Sequence, residues 1–189
     1  MDCCRLFFWG YASGTDGRVH AMFALAKSRA ILRGKKNVPM QRPERIIEHL
    51  RKVRDLLETS RIVDALQEAL KIQFLGMSFA SKVLTFMNPN IAGVYDAVIS
   101  KILKVHSSDD LRRLYVSTQY TNSQKGRKHQ ATIYEKWCQW CSKEAETLNA
   151  NAMKWTDWSG IEYNWRAVDV ERAFFALADK PAKVHTLTS

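Results

Sequence analysis

Residues 74–103 read Phe-Leu-Gly-Met-Ser-Phe-Ala-Ser-Lys-Val-Leu-Thr-Phe-Met-Asn-Pro-Asn-Ile-Ala-Gly-Val-Tyr-Asp-Ala-Val-Ile-Ser-Lys-Ile-Leu. Gly76 breaks a helical pattern arriving from upstream. Ser78 to Met87 is apolar nearly all round, which is the pattern of a buried helix. Asn88-Pro89-Asn90 ends it, and a further helix runs from about Tyr95 to Lys104. The segment is thus helix, glycine turn, buried helix, loop, helix. Lys82 falls inside the buried helix, among Phe79, Val83, Leu84 and Phe86. A cation there is costly unless it is paired, opened to a cleft or neutralised. Asp96 opens the next helix, where the dipole and free N–H groups hold a carboxylate ionised. An amine able to lose its proton, beside a fixed anion, makes a nucleophile and a cation stabiliser. A lysine that snorkels to solvent and a plain N-cap aspartate fit the same residues, so their chemistry alone leaves both roles open.

Outward from this segment the patterning stays helical. Upstream, Asp16 or Thr15 can cap a helix through Val19, Phe23, Leu25, Ala26 and Ile31, with Gly34 as its stop. Pro43 suits a first turn, followed by the stripe Ile46, Ile47, Leu50, Val53 and Leu57. Ser60 is the expected cap of a helix carrying Ile62, Val63, Leu66, Leu70 and Phe74. Downstream, Ser107 or Ser108 caps a helix through Leu111, Leu114 and Tyr115. Thr118–Gln130 is polar and basic and reads as an exposed loop. A long helix is expected over about Ala131–Leu148, no period is visible over Asn149–Asn164, and a last helix runs from Ala167 to Ala178. The expectation is a single all-α domain over 1–178, with room for two lobes around a cleft, and a flexible tail over 179–189.

Composition narrows the function classes. With 46% hydrophobic and 25% charged residues in 189, the chain matches a globular protein and not a disordered one. No apolar run is long enough to span a bilayer, so no membrane is expected. Lys and Arg number 29 against 19 Asp and Glu, a net +10, which favours a polyanionic partner, nucleic acid first. The excess is concentrated: Gly17–Arg54 is +9 and Lys101–His129 is +5, leaving the remainder mildly acidic. Of the four cysteines, Cys138 and Cys141 have C-x-x-C spacing but no companion pair at ligand spacing, since Cys3 and Cys4 are adjacent. No metal or cofactor is expected, and a reducing, cytoplasmic location fits.

The quoted segment resembles the helix-hairpin-helix DNA glycosylases, most closely the 8-oxoguanine DNA glycosylase fold group in its compact bacterial-type form. The matching elements are Leu75-Gly76, Ser78-Phe79-Ala80-Ser81-Lys82, Asn88-Pro89 and Val94-Tyr95-Asp96, together with the closing stretch Trp165-Arg166-Ala167-Val168-Asp169-Val170-Glu171-Arg172-Ala173-Phe174-Phe175-Ala176-Leu177. The specific part is these two segments; the helical frame around them extends the likeness over most of the chain. There are departures. The family hairpin is usually Gly-x-Gly, and Ser78 stands where the second glycine is expected. With Ala80 on the family alanine, the usual lysine position also falls on Ser78, while Lys82 follows one turn later on the same face. No four-cysteine iron–sulfur motif is present.

The resemblance implies a DNA N-glycosylase that flips a damaged or modified base out of double-stranded DNA and cleaves the N-glycosidic bond, with a possible associated lyase activity. It implies Asp96 and Lys82 as catalytic groups. It implies DNA contacts from Gly76, Ser78 and Ser81, joined by the basic residues Lys101, Lys104, Arg127 and Lys128. An aromatic base pocket would draw on Trp9, Tyr11, Tyr95 and Trp165. The base implied is 8-oxoguanine or another modified base, a hypermodified phage base in antiviral defence included. The expected protein is a cytoplasmic, nucleoid-associated monomer. A non-catalytic helix-hairpin-helix DNA-binding module is the alternative.

Overall fold

Gly34 ends the first helix, as its position in the sequence requires. In the computed structural model, which describes residues 21–178, helix α1 (Ala21–Arg33) closes with the Gly34 N–H on the Ala30 carbonyl at 2.9 Å. Gly34 has φ +76°, and a Cβ there would lie 2.5 Å from the Val38 carbonyl oxygen, so only glycine fits. Helix α2 (Pro43–Glu58) starts on its proline and buries Val53, Leu56 and Leu57. Ser60 does not cap the next helix. Its backbone is left-handed (φ 55°), and Arg61 takes the N-cap position of α3 (Ile62–Ala69) with no side-chain hydrogen bond. That helix also stops before Phe74, because residues 70–76 form the turn into α4 (Met77–Met87).

Next come α5 (Ala97–Val105), the short α6 (Asp109–Arg112) and the long α7 (Gln124–Ala150). Helix α7 starts seven residues earlier than expected, within the stretch read as a loop. Ser123 caps it, its Oγ accepting the Gly126 N–H at 3.0 Å. Its first two turns carry no apolar stripe, so periodicity could not find them. The aperiodic stretch after α7 folds into a β-hairpin, β1 (Trp155–Thr156) antiparallel to β2 (Glu162–Tyr163). Helix α8 (Ala167–Ala178) closes the described chain, and the region is all-α apart from that hairpin. Trp9, Tyr11, Cys3, Cys4 and the 179–189 tail lie outside the described residues.

The main core surrounds α7, whose Tyr134, Trp137, Cys138 and Cys141 are fully buried with Leu57, Leu66, Met77, Leu84, Ile99 and Leu103. Helices α3 and α8 pack on α7. A second cluster joins Ala24, Ile31, Ile72, Leu75 and Val83. Helix α4 serves both: Met77, Ala80 and Leu84 face the first cluster and Val83 the second. Burial on two sides is why its sequence is apolar nearly all round.

Between α4 and α5, residues 93–95 are fixed from several directions. Gly93 sits where a Cβ would come 3.1 Å from Glu171 Cβ and 3.4 Å from Cys141 Sγ. Trp137 Nε1 donates to the Val94 carbonyl at 3.0 Å. The Tyr95 N–H donates to Ser81 Oγ at 3.1 Å. Tyr95 itself is fully buried; its hydroxyl donates to the Leu114 carbonyl and accepts the Val116 N–H, each at 2.8 Å. Ser100 Oγ donates to the Val116 carbonyl at 2.8 Å. Burial pushes the Tyr95 phenol up to about 12, so it stays neutral and bonded. Tyr95→Phe strands two buried backbone groups and is expected to cost about 1–3 kcal/mol. Equilibrium urea unfolding measures this; an unchanged midpoint would show that the hydroxyl carries no net stability.

Candidate active site

Lys82 and Asp96 come together. Lys82 projects from the middle of α4, its side chain 7% exposed, with Nζ 3.5 Å from Asp96 Oδ2. The ammonium also lies 5.3 Å from the centre of the Phe79 ring. Of the three ways to accommodate a buried cation, the protein uses pairing. Asp96 is the N-cap of α5: its Oδ1 accepts the Val98 N–H at 2.9 Å and the Ile99 N–H at 3.2 Å. The two oxygens are thus divided, one bound to the helix and one turned to Lys82. Asp96 is the more open of the two, its side chain 23% exposed.

A third titratable group belongs to this cluster and was not among the sequence candidates. Glu171 of α8 is 5% exposed and packs against Gly93. Burial pushes its carboxyl up to about 8, and the Asp96 charge adds to the rise. The Val94 N–H, Arg172 and Lys82 oppose it. The sequence did carry a signal for Glu171: it lies three residues after Val168 and three before Phe174, in the middle of the apolar stripe of α8. Asp169, two residues earlier, is buried for a different purpose. Its Oδ2 accepts from Arg166 Nε at 2.8 Å and from the Arg166 N–H at 3.1 Å, closing the start of α8.

The residues expected to touch DNA divide into two groups. Gly76 is the N-cap of α4 and lines a cleft of about 560 Å³ with Lys27, Lys71, Tyr120 and Arg127. Arg127 is steadied there by Tyr120, its Nη2 donating to the phenol oxygen at 2.9 Å, and by the Thr121 carbonyl. Lys27 lies over Phe79 and near Lys35; burial, then that neighbouring charge, lowers its pKa. Ser78 sits in the first turn of α4, half-buried. Phe74, with φ 63°, is the left-handed residue of this turn, so the backbone need that favours glycine falls before Gly76 and not at Ser78. Lys101, Lys104 and Lys128 are exposed on α5 and α7, outside this cleft, with Lys104 Nζ over the Tyr115 ring.

Ser81 cannot serve as a DNA contact. It is fully buried and its hydroxyl is engaged between Tyr95 and the Ser78 carbonyl. Nor does Tyr95 line a base pocket, because its ring is enclosed in the core, edge-on to Trp137. Trp165 packs against the same core, its backbone clasped by the Asn149 amide. The expected base pocket is therefore not assembled by its described members. The C-x-x-C thiols are inert: burial pushes Cys138 up to about 12 and Cys141 well above its usual value. Among the described residues, no group of His, Cys, Asp and Glu could hold a metal ion, and no helix is long and apolar enough to cross a membrane.

Comparison with family models, curated proteins and solved structures finds no match to this chain.

Glu171 gives a pH test of this geometry. Its folded carboxyl keeps a proton up to about 8, whereas the unfolded one loses it near 4.5. The folded state binds the extra proton between those values, so this residue's contribution to stability falls as pH rises through that window. Glu171→Gln removes the penalty. The variant is expected to match the wild type near pH 4.5 and to melt higher at pH 8, by about 2–4 °C for each kcal/mol recovered. Melting curves at the two pH values measure the difference; a gain equal at both would place the carboxyl in a solvated setting.

Proposed function

We propose that the chain is a DNA N-glycosylase acting on a modified base in duplex DNA. The observation that carries this reading is the Lys82–Asp96 pair, a buried ammonium 3.5 Å from a carboxylate that two helix N–H groups hold in place. Breaking an N-glycosidic bond builds positive charge on the sugar, and a fixed carboxylate stabilises that charge without reorganising. Once deprotonated, Lys82 can attack the anomeric carbon as the base leaves and form a Schiff base, from which elimination nicks the strand.

The cleft at the start of α4 supports phosphate binding. It brings Lys27 and Arg127 to the N-terminus of a helix, where dipole and cations act together on an anion, while Lys71 on the same rim is bonded to the buried Glu68 at 2.7 Å. Much of the remaining basic charge is balanced locally. Arg45 pairs with Glu48, Arg54 with Asp55 and Glu58, and Lys52 with the buried Glu68. The supported DNA footprint is thus narrower than the +9 block: it centres on the α4 turn, with Lys101, Lys104 and Lys128 as outlying contacts.

Asp96→Asn preserves shape and capping while removing the charge. It is expected to fold and bind duplex, and to lose at least ~100-fold in base release from a panel of duplexes each carrying one modified base. A folded Asn variant of near-normal rate would reduce Asp96 to a cap. Borohydride is expected to trap a covalent protein–DNA adduct with the wild type and not with Lys82→Gln; base release without an adduct would make water the nucleophile. Gly76→Ala keeps the fold, since a Cβ there meets nothing within 4 Å. It is expected to weaken duplex binding if a phosphate approaches that backbone, in step with a log–log salt slope of about −0.9 per phosphate neutralised. Salt-independent affinity would remove the phosphate footprint, and binding with no base released would mark a DNA-binding module.

A further inference from the structure

We propose that the cleft at the head of α4 is a nucleotide-binding site, taking a deoxynucleoside monophosphate whose base is unpaired. The ligand is either a free nucleotide or an overhanging one at a DNA end. The inference deepens the anion-binding reading of that cleft and does not involve the Lys82–Asp96 pair, so it stands or falls apart from base release.

The cleft encloses about 560 Å³, which is within the range of small-ligand sites. Its walls come from four parts of the chain: Lys27 of α1, Val38 in the segment after it, the turn 70–76, and Tyr120 with Arg127 around the start of α7. The turn is fixed before anything binds. Gln41 reaches across to it, its Oε1 accepting the Gln73 N–H at 2.9 Å and its Nε2 donating to the Lys71 carbonyl at 3.4 Å.

Three features set the chemistry of the occupant. The first is charge. Among the described residues that line the cleft none is acidic, and with Lys71 bonded to Glu68 the remaining cations are Lys27 and Arg127. Lys35 adds another beside them, its Nζ 5.0 Å from the centre of the Phe74 ring. An anion is drawn to this wall with no carboxylate on it to oppose the attraction. The second is a flat surface. Arg127 lies over the Tyr120 ring at 5.5 Å and is locked to it by the bond from Nη2 to the phenol oxygen at 2.9 Å. A ring that enters the cleft can stack on this platform and rest on Val38, Leu70 and Phe74. The third is an orphan acceptor. Gln73 lines the cleft, and its Oε1 is enclosed without a hydrogen-bond partner. An enclosed carbonyl left unpaired is costly, and a ligand N–H removes that cost.

Together the three select among anions. Inorganic phosphate meets the cations but leaves the platform and the Gln73 oxygen unmet. An aliphatic phosphate ester covers the apolar wall and brings no N–H. A nucleotide carries a phosphate, a flat ring and an N–H on the pairing edge of that ring. The base must be unpaired, because within a duplex that N–H is spent on the opposite strand and both ring faces on neighbouring bases. A free nucleotide or an overhanging end satisfies this condition.

The test titrates the full chain by calorimetry with deoxyadenosine monophosphate, deoxyadenosine, deoxyribose phosphate and inorganic phosphate. The nucleotide is expected to bind at least ~10-fold more tightly than each of the others. Gln73→Leu removes the orphan acceptor and keeps the backbone bond to Gln41, so it is expected to melt no lower than the wild type. It should lose about tenfold for the nucleotide and nothing for the phosphates that lack a base. Lys27→Met should weaken every phosphate alike and leave deoxyadenosine unchanged. Equal affinity for nucleotide and inorganic phosphate overturns the proposal in favour of a bare anion site. Undiminished nucleotide affinity in Gln73→Leu overturns it as well. A blunt duplex and the same duplex with one phosphorylated, overhanging nucleotide separate the two sources. A preference for the overhang that Gln73→Leu abolishes assigns the site to DNA ends. Tight binding of the free nucleotide without that preference assigns it to free nucleotides, and the absence of both removes the site. Base release from modified duplexes is scored separately: its absence would remove the glycosylase reading and leave these affinities as they stand.

Discussion

The structure depends on how the short run Gly93–Asp96 is held between α4, α7 and α8. Ser81 fastens the Tyr95 amide, Trp137 takes the Val94 carbonyl, and Gly93 admits Glu171. Tyr95, Ser100 and Val116 then tie the same run to the segment that leads into α7. Along an extended run, consecutive side chains alternate in direction. Once Tyr95 is sunk in the core, Asp96 is turned the other way, towards α4 and Lys82. A hydroxyl sealed behind Trp137 therefore decides where the carboxylate of the site points. The meeting of Asp96 with Lys82 is set by core packing and not by a loop free to adjust.

The parts that could be read from the sequence are those dictated by local rules. Proline at the start of α2, glycine after α1, and aspartate at the head of α5 act through their own backbone, and each is found where its chemistry requires. Lys82 could be placed in a buried helix because the surrounding residues are apolar on every side. What escaped was decided by distant neighbours. Tyr95 beside an aspartate looks like a pocket aromatic until Leu114 and Val116 supply its partners from about twenty residues away. Ser81 looks like a phosphate contact until Tyr95 claims it. Glu171 sits in Val-Asp-Val-Glu-Arg, where alternating charges suggest solvent; the stripe that buries it is plain only when Val168 and Phe174 are counted with it. The first turns of α7 escaped for the opposite reason, since a capped polar helix has no stripe to count.

Charge counted along the chain also proved a poor guide to charge in space. Helix α2 contributes four cations to the N-terminal basic block, yet Arg45, Lys52 and Arg54 each face a carboxylate. Such exposed pairs add little stability, but they remove much of the field that a polyanion would feel. The cations with a distinctive setting lie against aromatic rings instead. Lys27 and Lys82 share Phe79, and Lys35 lies over Phe74. An aromatic face lets an ammonium remain charged while it is partly withdrawn from water. This links the α4 turn to the interior of the same helix through one ring, from the cleft at its start to the paired lysine within it.

That continuity bears on why two carboxyl groups accompany a single buried lysine. One carboxylate suffices to neutralise an ammonium, and replacing such a pair by apolar side chains costs a fold nothing in general. A second carboxyl, left nine-tenths enclosed and raised to about 8, makes the fold less stable at neutral pH than a glutamine would. Packing gives no reason for that cost, because Gly93 would accommodate an amide of the same shape. What the enclosed carboxyl does is tie the stability of this core to pH, so that it falls as pH rises from about 4.5 to about 8.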